Sequence, residues 1–325
     1  MTFCPQPFNR IEIHHHGEVF CCCPAHLNYY SLGNIFTSSF DEIWNGKKAI
    51  ELRKKILSND FSLCSDICNR KNLQNSNSEN YTEIVMDYPE EVSITTDNTC
   101  NLRCKFCRDK FPNNNFDKEK FEEEIENIYL PILKNVKILT IGTTGEPFAS
   151  HKEKLLIKRV AEKYPNIRFQ FQTNGVLGNA RTLKDLNIED RIESIAVSIH
   201  AATRWTYNKI VRGGKFDKVL SNLELYSNLK KENKLNKLRI IFVVFSENYK
   251  EMPAFVRLAQ KYNANAEFWA LMEIPSTKVG QNFTKYSIVN PQHKDHKKLI
   301  KVLNDPIFNS ENVIIYPELK KLREN

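Results

Sequence analysis

The sequence predicts an α/β protein with a small cysteine-rich module at its N-terminus, and three observations carry that expectation. After Pro89, short apolar runs rich in β-branched and aromatic residues alternate with amphipathic helical stretches, the pattern of a parallel sheet with right-handed crossovers. Six of the nine cysteines lie at or before Cys68, and none lies beyond Cys107. The remaining three share one loop directly after the first of the apolar runs.

Taken in order, residues 1–72 form the cysteine-rich module, which contains an expected helix, "SSFDEIWNGKKAIELRKKIL". It begins near Ser39 and has Phe40, Ile43, Trp44, Ile50 and Leu52 as its apolar positions. The Asn- and Ser-rich stretch "RKNLQNSNSENYTE" has no periodicity and makes residues 73–88 a linker. Residues 89–275 then hold six expected strands: "VSITTDN" from Val92, "VKILTIGT" from Val136, "IRFQFQTNG" from Ile167, "IESIAVSIHA" from Ile192, "LRIIFVVFS" from Leu238 and "AEFWALMEI" from Ala266. Helical stretches such as "HKEKLLIKRVAEKY" and "MPAFVRLAQKYN" separate them. This number of units suits a partial or complete β/α barrel. A doubly wound sheet gives the same local pattern, so the motifs must decide. Residues 276–325 form a C-terminal extension expected to close the barrel or to cap a substrate.

The chain of 325 residues is long enough for a sizeable core. No apolar run reaches the length of a membrane span, and the N-terminus lacks the basic–apolar–small order of a signal peptide, so a cytoplasmic protein is expected. A net charge of +8, from 47 basic and 39 acidic residues, favours an anionic small molecule but is too weak to argue nucleic-acid binding. An odd, tightly clustered set of cysteines without a secretory signal argues for metal binding over a disulfide framework.

The loop "TCNLRCKFCRDK" spaces Cys100, Cys104 and Cys107 as CxxxCxxC. Thiolates suit soft metals and iron–sulfur clusters, and three on one loop can hold three corners of a 4Fe–4S cube, leaving one iron open. Zinc would want a fourth nearby Cys or His, and this loop has none. The motif resembles the signature of the radical S-adenosylmethionine (radical SAM) superfamily, including an aromatic residue, Phe106, before the third cysteine. That resemblance selects a partial (β/α)6 barrel. It implies a 4Fe–4S cluster on Cys100, Cys104 and Cys107 and S-adenosylmethionine (SAM) bound at Phe106.

The resemblance continues along the chain. "TTGEP" is similar to the superfamily's GGEP motif, which implies that Glu146, with Thr143, Thr144 and Gly145 around it, holds the methionyl amino group of SAM. Thr144 stands where the first glycine is usual, and a β-branched residue there limits backbone freedom. The third strand ends in "QTNG", which places Asn174 at the cofactor. The fourth leads into "SIHAATRWTYNKIVRGG", similar to radical SAM enzymes that carry SPASM or Twitch modules. By that similarity Ser198 faces the ribose of SAM, and Arg212 pairs with its carboxylate or with the substrate. His200, where those relatives commonly have Asp, becomes a candidate substrate contact or proton-transfer group.

In SPASM and Twitch modules a cysteine, a hairpin and then a glycine with four intervening residues lead to the next cysteine. Here Cys4 is followed by "NRIEIHHHGEVFCC", and Gly17 with four residues after it lands on Cys22. The continuation "LGNIFTSSFDEIW…CSDIC" resembles the same modules. It implies a second 4Fe–4S cluster on Cys4, Cys22, Cys64 and Cys68, with the module placed before the barrel rather than after it. In an extended chain Cys21 and Cys23 share the face opposite Cys22, either packed as small apolar groups or supplying a hydrogen-atom donor to a substrate radical. Cys21 or Cys23 as the ligand is the alternative register.

The function this resemblance implies is reductive cleavage of SAM to a 5′-deoxyadenosyl radical that abstracts a hydrogen atom from a substrate carbon. The expected outcome is epimerisation or oxidation of a carbohydrate or similar small metabolite, with a flavodoxin- or ferredoxin-type protein as reductant. A ribosomal-peptide maturase acting on a peptide substrate is the second reading. A non-catalytic metal-binding module is the reading of another class.

Overall fold

A computed structural model describes residues 3–65, 68, 81–107, 116–273 and 279–323; the linker's residues 73–80 and the extension's 276–278 lie outside them. Strands in the first half are β1 (Arg10–Ile13), β2 (Glu18–Phe20), β3 (Gly33–Asn34), β4 (Glu91–Ile94), β5 (Arg103–Cys104) and β6 (Ile138–Ile141). The second half has β7 (Arg168–Thr173), β8 (Ile192–Ser198), β9 (Val211–Arg212), β10 (Leu235–Val244), β11 (Asn265–Ala270) and β12 (Val313–Ile315). The six strands expected after Pro89 appear as β4, β6, β7, β8, β10 and β11, each within a few residues of its predicted start.

The chain divides into two compact units. The first unit contains residues 1–98, 115–145 and 150–170, so the N-terminal module shares it with the first two strand–helix units. The second contains 99–114, 146–149 and 171–325.

In the first unit the strand order is β6-β4-β1-β2-β3. β1 lies parallel to β4 from Arg10 opposite Glu91 to Ile13 opposite Ile94, and β2 turns back antiparallel to β1. Ile11, Ile13, Val92, Ile94, Leu139 and Ile141 are fully buried along these strands. A strand of the cysteine-rich module therefore extends the parallel sheet, whereas the sequence places that module apart. Gly17 makes the β1–β2 turn possible: its φ is +83°, and a Cβ there would lie 2.4 Å from Asn34 Oδ1.

The single helix expected from Ser39 is two, Phe40–Trp44 and Lys47–Leu57. Ser39 starts the first with a capping box closed by Glu42. Gly46 separates them, since a Cβ there would meet the Glu42 carbonyl at 2.3 Å. Arg53 of the second helix is fully buried over the Trp44 ring, 4.2 Å from its centroid. It donates to the carbonyl oxygens of Pro7 and Glu83 and to Asn45 Oδ1. Phe3, Phe8 and Tyr81 cluster beside it with ring centroids 4.8–5.5 Å apart.

The second unit has strands in the order β12-β11-β10-β8, with the end of β7 beside β8. β8, β10, β11 and β12 are all parallel to their neighbours. Helix Phe216–Lys231 and helix Met252–Lys261 bury apolar faces that include Val219, Leu223, Phe255 and Val256. Phe268 of β11 packs edge-on against Phe255 and Phe308. The C-terminal extension supplies β12, so it adds a further parallel strand to the sheet.

Candidate active site

In the second unit the cysteine loop is tied down by backbone. Arg103 and Cys104 form a two-residue ladder with β9, Cys104 opposite Val211 and Arg103 opposite Arg212. Lys105 N–H donates to the Ile210 carbonyl at 2.8 Å, and Cys107 N–H to the Cys104 carbonyl at 3.1 Å. Leu102 N–H points at Cys100 Sγ from 3.4 Å. Asn174 Nδ2 lies 3.9 Å from the same sulfur and donates to Asn101 Oδ1 at 2.9 Å. Burial, with the charges of Cys107 and Cys100, pushes the Cys104 thiol up to about 12.

The influence of Cys100 and Cys107 on Cys104 places the three thiols close together, and the crowding of soft anionic donors is what a bound iron–sulfur cluster relieves. The donor set fits a cluster held at three corners. Among the described residues no three His, Cys, Asp or Glu side chains converge on a point where a single ion would sit.

Glu146 is completely buried and its backbone N–H donates to the Thr99 carbonyl at 2.8 Å. The resemblance gives its carboxylate to the amino group of SAM; in the structure both carboxylate oxygens accept from neighbouring groups. Oε1 accepts from the Thr173 hydroxyl at 2.8 Å and from Phe148 N–H at 3.3 Å; Oε2 accepts from Asn174 N–H at 2.6 Å. Burial pushes this carboxyl up to about 7, against the pull of those hydrogen bonds. Its position makes it a positioning residue: it fixes the end of β7, and with it Asn174, beside Cys100. Gly175 follows with φ +76°, and a Cβ there would lie 2.5 Å from Val197 Cγ1, so only glycine lets the chain turn off the strand there.

Phe106 meets His200 edge-on at 4.7 Å and Phe245 at 5.6 Å. His200 itself is 6% exposed, has φ +62° and accepts the Val243 N–H on Nδ1 at 3.0 Å. Asn248 donates to its carbonyl at 3.0 Å. Burial drops the imidazolium to about 3, so the ring is neutral with its proton on Nε2. The His200 ring packs against Phe106 and its Nδ1 holds the β10 backbone, while burial disfavours the charged form. Ser198 ends β8 half-buried, and Arg212 is exposed on β9 without an ion pair among the described residues.

Sequence reasoning missed Glu247, which pairs with Lys105 inside the cysteine motif and lies 3.4 Å from Lys209. Burial alone would raise its carboxyl, but the two ammonium groups hold it below the ordinary value. It also missed Tyr207, fully buried, whose hydroxyl burial and the nearby Cys104 and Glu146 push upward. Glu247 lies outside every motif, and Tyr207, though inside the stretch that follows β8, carries no signal of its burial near Cys104 in the sequence.

In the first unit, Thr143 and Thr144 reach the residues ahead of the cysteine loop. The Thr143 hydroxyl bonds that of Thr95 at 2.6 Å, and Thr144 donates to Asn98 Oδ1 at 2.7 Å. Asn98 Nδ2 in turn meets His15 Nε2 at 3.1 Å, so the hairpin of the N-terminal module braces this stretch. The positive φ of the loop falls on Gly142, at +92°, before the Thr-Thr-Gly run, which lets Thr144 keep an ordinary conformation.

Family comparison matches these features. The family model of the radical SAM superfamily covers residues 94–259, about half of the chain. The chain belongs to the radical SAM superfamily. A second match, to the iron–sulfur cluster-binding SPASM domain, covers residues 4–70, so the SPASM domain precedes the radical SAM domain. Membership makes SAM and a 4Fe–4S cluster the cofactors, and Cys100, Cys104 and Cys107 are the residues that would hold the latter.

The chain is 27% identical over 190 residues to a GTP 3′,8-cyclase of Lactiplantibacillus plantarum, covering 56% of this chain and 54% of that protein. It is 26% identical over 179 residues to a probable GTP 3′,8-cyclase of Saccharolobus islandicus, at 54% of each. The FeMo cofactor biosynthesis protein NifB of Methanocaldococcus jannaschii is 26% identical over 155 residues, covering 42% and 49%. The chain thus spans about half the length of the curated relatives it matches. Among solved structures, Streptococcus suis SuiB shares the fold, with a TM-score of 0.50 and 20% identity over 70% of this chain and 49% of that one.

Within the SPASM domain the period-two expectation fails. β2 ends at Phe20; Cys21 and Cys22 lie in bends and Cys23 caps the short 3-10 helix Pro24–Leu27, so strand alternation no longer applies. Cys21 is 1% exposed, Cys22 half-buried and Cys23 exposed, so Cys21 and Cys23 do not share a face. Cys21 lies within electrostatic reach of the Arg53 guanidinium. The Ser65 N–H donates to the His26 carbonyl at 2.9 Å, which brings Cys64 and Ser65 against the turn that follows Cys23. Cys4, Cys22, Cys64 and Cys68 are all half-buried. No helix among the described residues is long and apolar enough to cross a membrane.

Proposed function

We propose that this radical SAM enzyme takes a hydrogen atom from a carbon of a small, polar, hydroxyl-bearing metabolite and so epimerises or oxidises it. One observation carries the catalytic half of this reading: the backbone-held cysteine loop and the Glu146-anchored end of β7 meet at Cys100, with Asn174 Nδ2 3.9 Å from its sulfur. When bound there, the cluster and SAM supply a carbon-centred radical able to abstract hydrogen. The chain's own part is to hold Cys100, Cys104 and Cys107 in register, to fix Asn174 through Glu146, and to keep Phe106 in place through His200. A second cluster on Cys4, Cys22, Cys64 and Cys68 is part of the proposal, giving two in all.

A nucleotide is the second reading for the substrate, favoured by the names of the curated relatives and the net charge of +8. The test is anaerobic reconstitution followed by strong reductant, SAM and candidate substrates in heavy water. Formation of 5′-deoxyadenosine is expected; protein loaded with cluster that forms none ends the enzymatic reading. One deuterium in the recovered product marks epimerisation, and none at that carbon marks oxidation.

A further inference from the structure

Two buried polar atoms without partners lie on one face of β11. Glu267 is 2% exposed and gives Oε1 to Arg239 Nη1 at 3.1 Å, while its Oε2 has no hydrogen-bond partner. Two residues on, the Nε1–H of Trp269 is buried and also unpartnered. Residues two apart on a strand share a face. The other face of β11 is the apolar one, where Phe268 meets Phe242, Phe255 and Phe308. Glu267 and Trp269 therefore point to the side of the sheet away from those helices.

Strand register places them relative to the candidate site. Ile241 is opposite both Ser198 and Glu267, and Val243 is opposite Trp269. Glu267 is thus level with Ser198, and Trp269 is one layer nearer the C-terminal ends of the strands, where ligands of parallel α/β sheets bind. Tyr316, just beyond β12, stacks on the Trp269 ring at 3.7 Å and 24°, fixing the direction of the indole N–H.

An orphaned buried acceptor beside an orphaned buried donor is costly unless a ligand completes both. An anionic group is disfavoured at the Glu267 carboxylate, and a cation gains nothing from an indole N–H. A hydroxyl both donates and accepts, and a sugar ring offers several at neighbouring positions. Resting on the function proposed above, we infer that Arg239, Glu267, Trp269 and Tyr316 form a substrate subsite that takes the hydroxyls of a sugar ring. Glu267 Oε2 accepts one hydroxyl proton, Trp269 Nε1 donates to a neighbouring oxygen, and Arg239 holds the carboxylate in place. The ring is that of a free sugar or the ribose of a nucleotide.

Calorimetry on the reconstituted, SAM-loaded protein tests this with D-glucose, D-ribose 5-phosphate, GTP and 2′-deoxy-GTP. Saturable one-to-one binding of at least one probe is expected. Trp269→Phe keeps an aromatic ring against Tyr316 but removes the indole N–H together with the second ring, and it should weaken that binding about tenfold; Glu267→Gln, which leaves the Trp269–Tyr316 stack intact, should weaken it at least as much. Binding by the simple sugars assigns the free ring, and GTP binding lost in 2′-deoxy-GTP assigns the ribose. Absence of binding by all four, or binding indifferent to both substitutions, overturns the subsite. Failure of SAM cleavage is read in a separate assay and bears on the enzymatic reading alone.

Discussion

The two cysteine-bearing regions are anchored by buried charges of opposite sign. Glu146 in the second unit and Arg53 in the first are each wholly buried, and each bonds to backbone as well as to a side chain. Glu146 collects N–H groups from Phe148 and Asn174. Arg53 collects carbonyls from Pro7 and Glu83, segments far apart in sequence. The difference lies in what the charge organises. Around Cys100–Cys107 a short motif is locked by ladder bonds, whereas in the N-terminal module distant pieces are gathered around one side chain. Both regions announce their cysteines by spacing, but only the compact loop also carries its local fastening in the same short stretch.

The sharpest way to break this comparison is to remove one thiol from each region. Cys104→Ala should lower SAM cleavage by about a thousandfold or more, to background, because cofactor chemistry cannot start without its cluster. Cys64→Ala should leave the electronic and paramagnetic spectrum of the Cys100–Cys107 cluster intact after reconstitution. If Cys64→Ala erases that spectrum, the two regions are not separate sites.

A smaller effect separates the anchors by pH. The folded state keeps the Glu146 proton up to about pH 7, whereas the ordinary value is 4.5. Between those values the folded protein binds the extra proton, so stability falls as pH rises, by about 3 kcal/mol at roughly 1.4 kcal/mol per pH unit. Melting temperatures of cluster-free protein should decline over that window, and Glu146→Gln should flatten the decline. An unchanged slope in the variant would remove Glu146 as its source. Arg53 gives no matching slope in this window, since burial lowers it only to about 10.

The smallest effect tests the triple cysteine. Cys21→Ser places a hydroxyl where the thiol is 1% exposed and should cost about 1–2 kcal/mol. Cys23→Ser, on an exposed residue, should stay within about 0.5 kcal/mol. Denaturant titration of the apoprotein reads both. Equal costs would restore the shared-face arrangement of an extended strand.

Much of the fold was legible because the signals are local. The six strand–helix units follow from runs of apolar residues and their period, and each strand appears close to its expected start. The cysteine loop was legible because its three thiols lie within eight residues. The triple cysteine misled because alternation holds only inside a strand, and β2 is three residues long and stops at Phe20. The surroundings of His200 were not legible in the sequence, because its burial is set by Phe106, Val243 and Asn248 from other parts of the chain.

The amino-acid sequence alone determined the α/β class, the order of the SPASM and radical SAM domains, and the close spacing of three cysteines on the 100–107 loop. All of these rest on short-range spacing, which a chain keeps whatever its fold. Only the tertiary structure decided that β1 extends the parallel sheet, that Glu146 grips β7, that Glu247 pairs with Lys105 and that Trp269 stacks on Tyr316. Those partners are 28 to 142 residues apart for the side-chain bonds with Asn174 and Lys105, and no local pattern encodes a pairing that burial and strand register impose from a distance.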